Sequence, residues 1–131
     1  RKTLFIVLIL NALLEGLTAL RLILLPVQLE DFDAAVQGGY VLYGFAALSI
    51  AMSIIWFNKY GDKEISLAMG LAVLSTFHVS LTIASVILSV VPGIIGHGLL
   101  SIAFLYLFTN RGQCLPVSET KADSWYKFSL I

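Results

Sequence analysis

The sequence predicts an all-α membrane protein, a bundle of four transmembrane helices in two antiparallel hairpins with both termini cytoplasmic. Three observations carry this. Of 131 residues, 59% are hydrophobic and only 12% charged, against about 45–50% and about 25% in soluble domains. Mean hydropathy is +0.94, and the charges sit in short clusters between apolar runs. Four of those runs are long enough to cross a ~30 Å hydrocarbon core, which takes about 20 helical residues. They are continuously apolar rather than alternating, which excludes a β-barrel. The same composition excludes a soluble globular domain and a disordered chain. Eight basic residues balance eight acidic ones, so there is no basic surface for nucleic acid. The single cysteine, Cys114, excludes an intrachain disulfide and any CxxC pair.

The spans read, in order, as 3–25, 35–57, 65–91 and 93–109, within a membrane domain of residues 1–110. The first ends at Pro26, which is disfavoured inside a helix. Arg1-Lys2 followed by Leu4 to Leu10 resembles a signal peptide, but the apolar stretch continues past Glu15 to Leu25. That is too long for a cleaved signal, so an uncleaved first span is expected, with a few residues preceding Arg1. The second span follows the acidic turn Glu30-Asp31-Phe32-Asp33, where Asp33 can cap it. It stops at the polar loop from Asn58 to Glu64. Only Val91-Pro92-Gly93 separates the third and fourth spans, which implies a tight hairpin. Residues 111–131 form a polar tail ending Trp125-Tyr126-Lys127-Phe128, suited either to the membrane interface or to a partner protein. No internal repeat is evident.

Orientation follows from the basic residues. One side collects Arg1, Lys2, Lys59, Lys63, Arg111, Lys121 and Lys127, the other only Arg21. The crowded side is expected to be cytoplasmic.

Ionisable groups within a span are costly and mark candidate sites. In the third span Ser75, His78, Thr82, Ser85 and Ser89 recur at spacings of three and four, so they share a helix face. Asn11, Glu15 and Thr18 form a second stripe in the first span. Counted from the cytoplasmic ends, Glu15 and His78 both lie about 18–20 Å deep. Asn11, Glu15, His78 and Thr82 therefore make a candidate internal polar pocket. A Glu15–His78 pair there reads either as a contact that fixes packing or as a proton relay or headgroup site. His97 lies in Gly96-His97-Gly98 with Ser101 one turn on. Counted from Pro92, it and His78 differ in depth by about 13 Å, so bis-histidine haem is not expected and His97 reads as an outer-surface residue. Counting from the cytoplasmic end of the fourth span makes them level instead. Arg21, Gln37 and Tyr40, with Tyr43 and His97, form a candidate outer-face headgroup site or a plain interfacial belt, and Trp56 and Tyr60 a belt on the opposite face. Small residues (Gly39 and Gly44, Ala47 and Ala51, Ser66 and Gly70, Ala68 and Ala72) invite close helix packing.

No GxSxG, HExxH, P-loop or GxGxxG is present. There is no acidic row for a cation pore and no Arg-rich voltage helix. Without inverted repeats, four short spans make a poor secondary transporter. No catalytic residue, metal or resident cofactor is expected; contact with quinone, lipid or a carotenoid pigment stays open.

Arg21-Leu22, Gly39-Tyr40-Val41-Leu42-Tyr43-Gly44, Phe77-His78 and Gly96-His97-Gly98-Leu99-Leu100 resemble the DoxX-like group of small bacterial four-helix membrane proteins. The likeness covers residues 3–110 and consists mostly of hydropathy and helix count; the tail is not a feature of the group. It implies a bacterial inner-membrane protein, sometimes an accessory subunit of oxidoreductase assemblies that feed electrons to quinone. The first functional expectation is accordingly a non-catalytic accessory subunit of a larger, energy-converting membrane complex, with lipids and other subunits as partners. The alternative is a small binding or redox protein using the internal polar pocket for a quinone, a lipid or a proton.

Overall fold

A computed structural model describes residues 1–24 and 34–116. Pro26, the Glu30–Asp33 turn with its proposed cap, and residues 117–131 of the tail lie outside the described residues. The described chain is all-α: α1 (Lys2–Leu24), α2 (Ala34–Ala51), α3 (Ser53–Tyr60), α4 (Glu64–Ile87) and α5 (Val91–Thr109), then a 3₁₀ turn at Arg111–Cys114. Among the described residues, four spans are long and apolar enough to cross a membrane: Lys2–Leu24, Val36–Tyr60, Glu64–Ile87 and Val91–Thr109. This is a multi-pass membrane protein. Its second span is two helices, with Met52 a turn between them whose N–H still donates to the Leu48 carbonyl at 3.0 Å.

The chain divides into two compact units, one of Leu8–Ile54 and one of Arg1–Val7 with the residues from Ile55 onward. In the first, α1 and α2 run antiparallel. The Asn11 Nδ2 donates to the Ile50 carbonyl at 3.3 Å, while Gly44, six residues earlier on α2, lies beside Leu22 and Ile23 far along α1. A Cβ on Gly44 would sit 2.9 Å from Ile23 Cγ1 and 3.1 Å from Leu22 Cβ, so glycine sets the closeness of this approach. Gly44, Ala47 and Ala51 are buried, as the small-residue pattern predicts, but Gly39 is exposed.

In the other unit, α4 buries Leu67, Leu71, Leu74, Ser75 and His78, and α5 buries Leu100, Ser101, Phe104 and Leu107. Steps of three and four, with Ser75 and Ser101 each directly following a buried leucine, place each set on one face. The opposite faces carry large apolar side chains outward, such as Ile87 and Ile102. Lipid tails are as apolar as these side chains, so burial itself does not hold the helices together. Close packing and interhelical hydrogen bonds do.

The α4–α5 turn differs from the sequence expectation. α4 stops at Ile87, four residues before the expected end, and Leu88–Val90 form the connection. The Leu88, Ser89 and Val90 N–H groups donate to Ala84, Val86 and Ser85 at 2.9, 3.1 and 2.8 Å, closing the helix end. Ser89 adopts a left-handed φ of 56°, so it belongs to the turn and drops out of the hydroxyl stripe. Pro92 lies in the first turn of α5, where its missing N–H has no helical partner to lose. Gly93 follows, and a Cβ there would collide with Ser85 Oγ.

At the far end of this unit, charges tie three segments together. Arg1 pairs with Asp62 at 2.5 Å, and Arg111 lies 3.9 Å from Glu64. The start of the chain, the α3–α4 turn and the segment after α5 thus share one end.

Candidate functional site

The α4–α5 hairpin contains two copies of one local pattern, a histidine followed four residues later by a hydroxyl: His78 with Thr82, and His97 with Ser101. Each hydroxyl folds back on its own helix. Thr82 Oγ1 donates to the His78 carbonyl at 2.7 Å, and Ser101 Oγ to the His97 carbonyl at 2.8 Å. The helices are antiparallel, so the two copies face each other about an approximate local two-fold. The Nδ1 atoms of His78 and His97 are 3.1 Å apart, and the two hydroxyl oxygens 3.3 Å apart.

Aromatic side chains enclose the imidazoles. Phe104 stacks on His78 at 5.4 Å and 12°. Phe77 meets His78 edge-on at 5.1 Å and His97 at 6.5 Å. His78 is fully buried, because its position continues the Leu67–Leu71–Leu74 face of α4. His97 is half-buried on the matching face of α5.

Hydrogen counting shows what this arrangement offers. Two imidazoles in contact through Nδ1 can share only one hydrogen, so a neutral pair holds one Nδ1–H and one Nε2–H tautomer. Each hydroxyl has a single hydrogen, so across the 3.3 Å Thr82–Ser101 hydrogen bond at most one of the two donates to the other, and both oxygens keep lone pairs. The hairpin interior is therefore rich in acceptors.

The depth difference of about 13 Å expected between the histidines is not what the hairpin register gives. Thr82 packs beside Gly98 and Ser85 beside Gly93, which offsets His78 and His97 by four residues, about 6 Å. Two ring side chains span that. The error came from taking Pro92 as the pivot, whereas the turn centres near Ser89 and Val90. His97 is accordingly joined to the polar stripe of α4 and not left at an outer surface. Arg21, Gln37 and Tyr40 are exposed, on α1 and α2. Asn11 and Glu15 are fully buried on α1, in the other unit.

Sequence reasoning missed Phe104 as the stacking partner of His78, and Ser101 as the counterpart of Thr82. The repeated His-to-hydroxyl spacing was the signal available for the latter. It also missed a cavity of about 280 Å³ lined by Trp56, Phe57, Tyr60, Gly61, Ser66 and Gly70. There the Trp56 and Tyr60 rings stack at 5.9 Å, and the Phe57 ring lies over Gly70, 2.5 Å from where a Cβ would be.

No protein-family model, no curated protein and no solved structure matches the chain.

Proposed function

We propose that this chain is a small membrane binding protein whose working part is the polar interior of the α4–α5 hairpin. The observation that carries the reading is the His78–His97 contact at 3.1 Å within a span pair that is otherwise apolar apart from Glu64 at its end and the serine, threonine and tyrosine hydroxyls. Helices in lipid can associate by close packing without any ionisable group between them, and ionisable side chains inside a span are costly enough to mark function. The ligand class this interior suits is one that uses imidazole nitrogens and hydroxyl lone pairs. A bacterial inner-membrane location with both termini cytoplasmic belongs to the same proposal. It draws on the basic residues Arg1, Lys59, Lys63 and Arg111 and on the shared end that Arg1 and Arg111 mark. Kinship with the DoxX-like group is part of it, on the residues quoted above.

The test is chromosomal replacement of His78 and His97 by Gln in the organism that makes the protein. The expected result is the phenotype of the deletion strain at an unchanged level of membrane-inserted protein. If the double variant behaves as wild type while the deletion does not, the hairpin interior is not where the function lies.

A second reading, an accessory subunit of a larger energy-converting complex, draws on the large apolar side chains exposed along every span, among them Leu17, Leu42, Ile87 and Ile102. Native electrophoresis of gently solubilised membranes decides it. Migration within a large assembly supports it, and migration alone removes it.

A further inference from the structure

We propose that the α4–α5 hairpin binds a single divalent transition-metal ion of the zinc and copper class through the Nδ1 atoms of His78 and His97. This deepens the binding reading above and rests on it for its functional meaning, though not for its geometry.

Metal–imidazole bonds are about 2.0–2.1 Å long, so two nitrogens 3.1 Å apart subtend about 100° at a shared ion. That lies between the octahedral and tetrahedral angles, so two neighbouring coordination positions are filled with little movement of either ring. A porphyrin needs its two axial nitrogens on opposite faces of a plane, and rings in direct contact leave no room for one. A single ion fits where haem does not.

Protonation is compatible. Both ligand nitrogens must present lone pairs, and in the neutral pair one Nδ1 carries the shared hydrogen. On binding, that hydrogen transfers to Nε2 of the same ring, so both histidines become Nε2–H tautomers with no net proton released.

The surroundings favour a cation. Thr82 Oγ1 and Ser101 Oγ direct their hydrogens to carbonyls at 2.7 and 2.8 Å, which leaves lone pairs on two oxygens 3.3 Å apart. Phe104 and Phe77 fix the ring planes, so little side-chain entropy is lost when the nitrogens are tied to an ion. Ligand type sets the class, because imidazole suits zinc, copper, iron and nickel, whereas magnesium and calcium seek oxygen.

The experiment uses the full chain, purified through a histidine-free tag into lipid nanodiscs, stripped with EDTA and titrated with Co²⁺ while visible d–d absorption is followed. One equivalent per chain is expected, displaced by Zn²⁺ and not by Mg²⁺. His78→Phe and His97→Phe should each weaken binding at least tenfold. The chain has only two histidines, so nitrogen NMR of the unaltered protein gives a readout that does not depend on a variant folding. Zn²⁺ should shift the Nδ1 resonances of both rings and leave Nε2 protonated. No absorption with the wild-type chain, cobalt–thiolate bands marking Cys114, or wild-type binding by the double variant would each overturn the proposal. Metal binding in a strain whose histidine variants grow normally keeps the site and removes the proposed function. A phenotype without metal binding does the reverse.

Discussion

Replacing His78 and His97 by Phe, singly and together, measures what their contact contributes. Phe keeps a ring of similar outline against Phe104 and Phe77 while deleting both nitrogens. The Nδ1 separation of 3.1 Å is within hydrogen-bonding range, but the rings are inclined by 30° with centroids 5.4 Å apart. The shared hydrogen therefore lies out of one ring plane. Interhelical hydrogen bonds in membranes average about 0.6 kcal/mol and reach about 1.7. The tilt argues for the middle of that range, about 1 kcal/mol. Each single change should thus destabilise by at least about 1 kcal/mol. The second change, made on the first, should cost about 1 kcal/mol less than it does alone, because the interaction is already gone. Reversible unfolding of the full chain in bicelles by SDS titration supplies the four stabilities. Strict additivity would refute the contact, and the reasoning above it.

Three further outcomes follow from the hairpin and its far end. Gly93→Leu should cost about 1–3 kcal/mol through overpacking against Ser85, and Ser85→Gly should recover part of it in the same unfolding assay. Ser89 holds a left-handed φ that costs an L-residue about 1–2 kcal/mol, so Ser89→Gly should be neutral to stabilising, and Ser89→Val destabilising; equal melting temperatures for the two would contradict the turn geometry. Burial pushes the Cys114 thiol up. A raised thiol carries less thiolate at neutral pH, so Cys114 should alkylate more slowly than a model thiol below its midpoint and catch up as pH rises. Labelling at the rate of free cysteine throughout would overturn this.

The four spans were legible because lipid imposes a simple constraint. Twenty apolar residues in a row have few alternatives, and Asn58–Glu64 supplies an unmistakable polar break. The charged end was legible too: the basic cluster includes Arg1, Lys63 and Arg111, and the structure draws Arg1, Asp62, Glu64 and Arg111 together. Register was not legible. Helix hydropathy continues unbroken from Ile83 to Ile95, so Pro92 looked like the hairpin's pivot. The real stop is Ser89, a residue with no marked preference for the left-handed region. Misplacing the pivot by about three residues doubles when two helices are compared, which is how two touching histidines came to look far apart. The Met52 break was equally silent, since Met, Ser and Ile are all ordinary helix residues.

The separation of 19 residues between the two members of each polar pair has a consequence for biogenesis. Chains emerge at about 5–20 residues per second, so each polar residue of α4 is made roughly one to four seconds before its counterpart on α5. During that interval His78 and Thr82 face either the insertion channel or bare lipid with their hairpin partners still unsynthesised. A helix so placed gains by waiting at the channel until α5 arrives and then partitioning as a pair. Contact between these two histidines would then favour release of α4 and α5 from the insertion machinery as a pair.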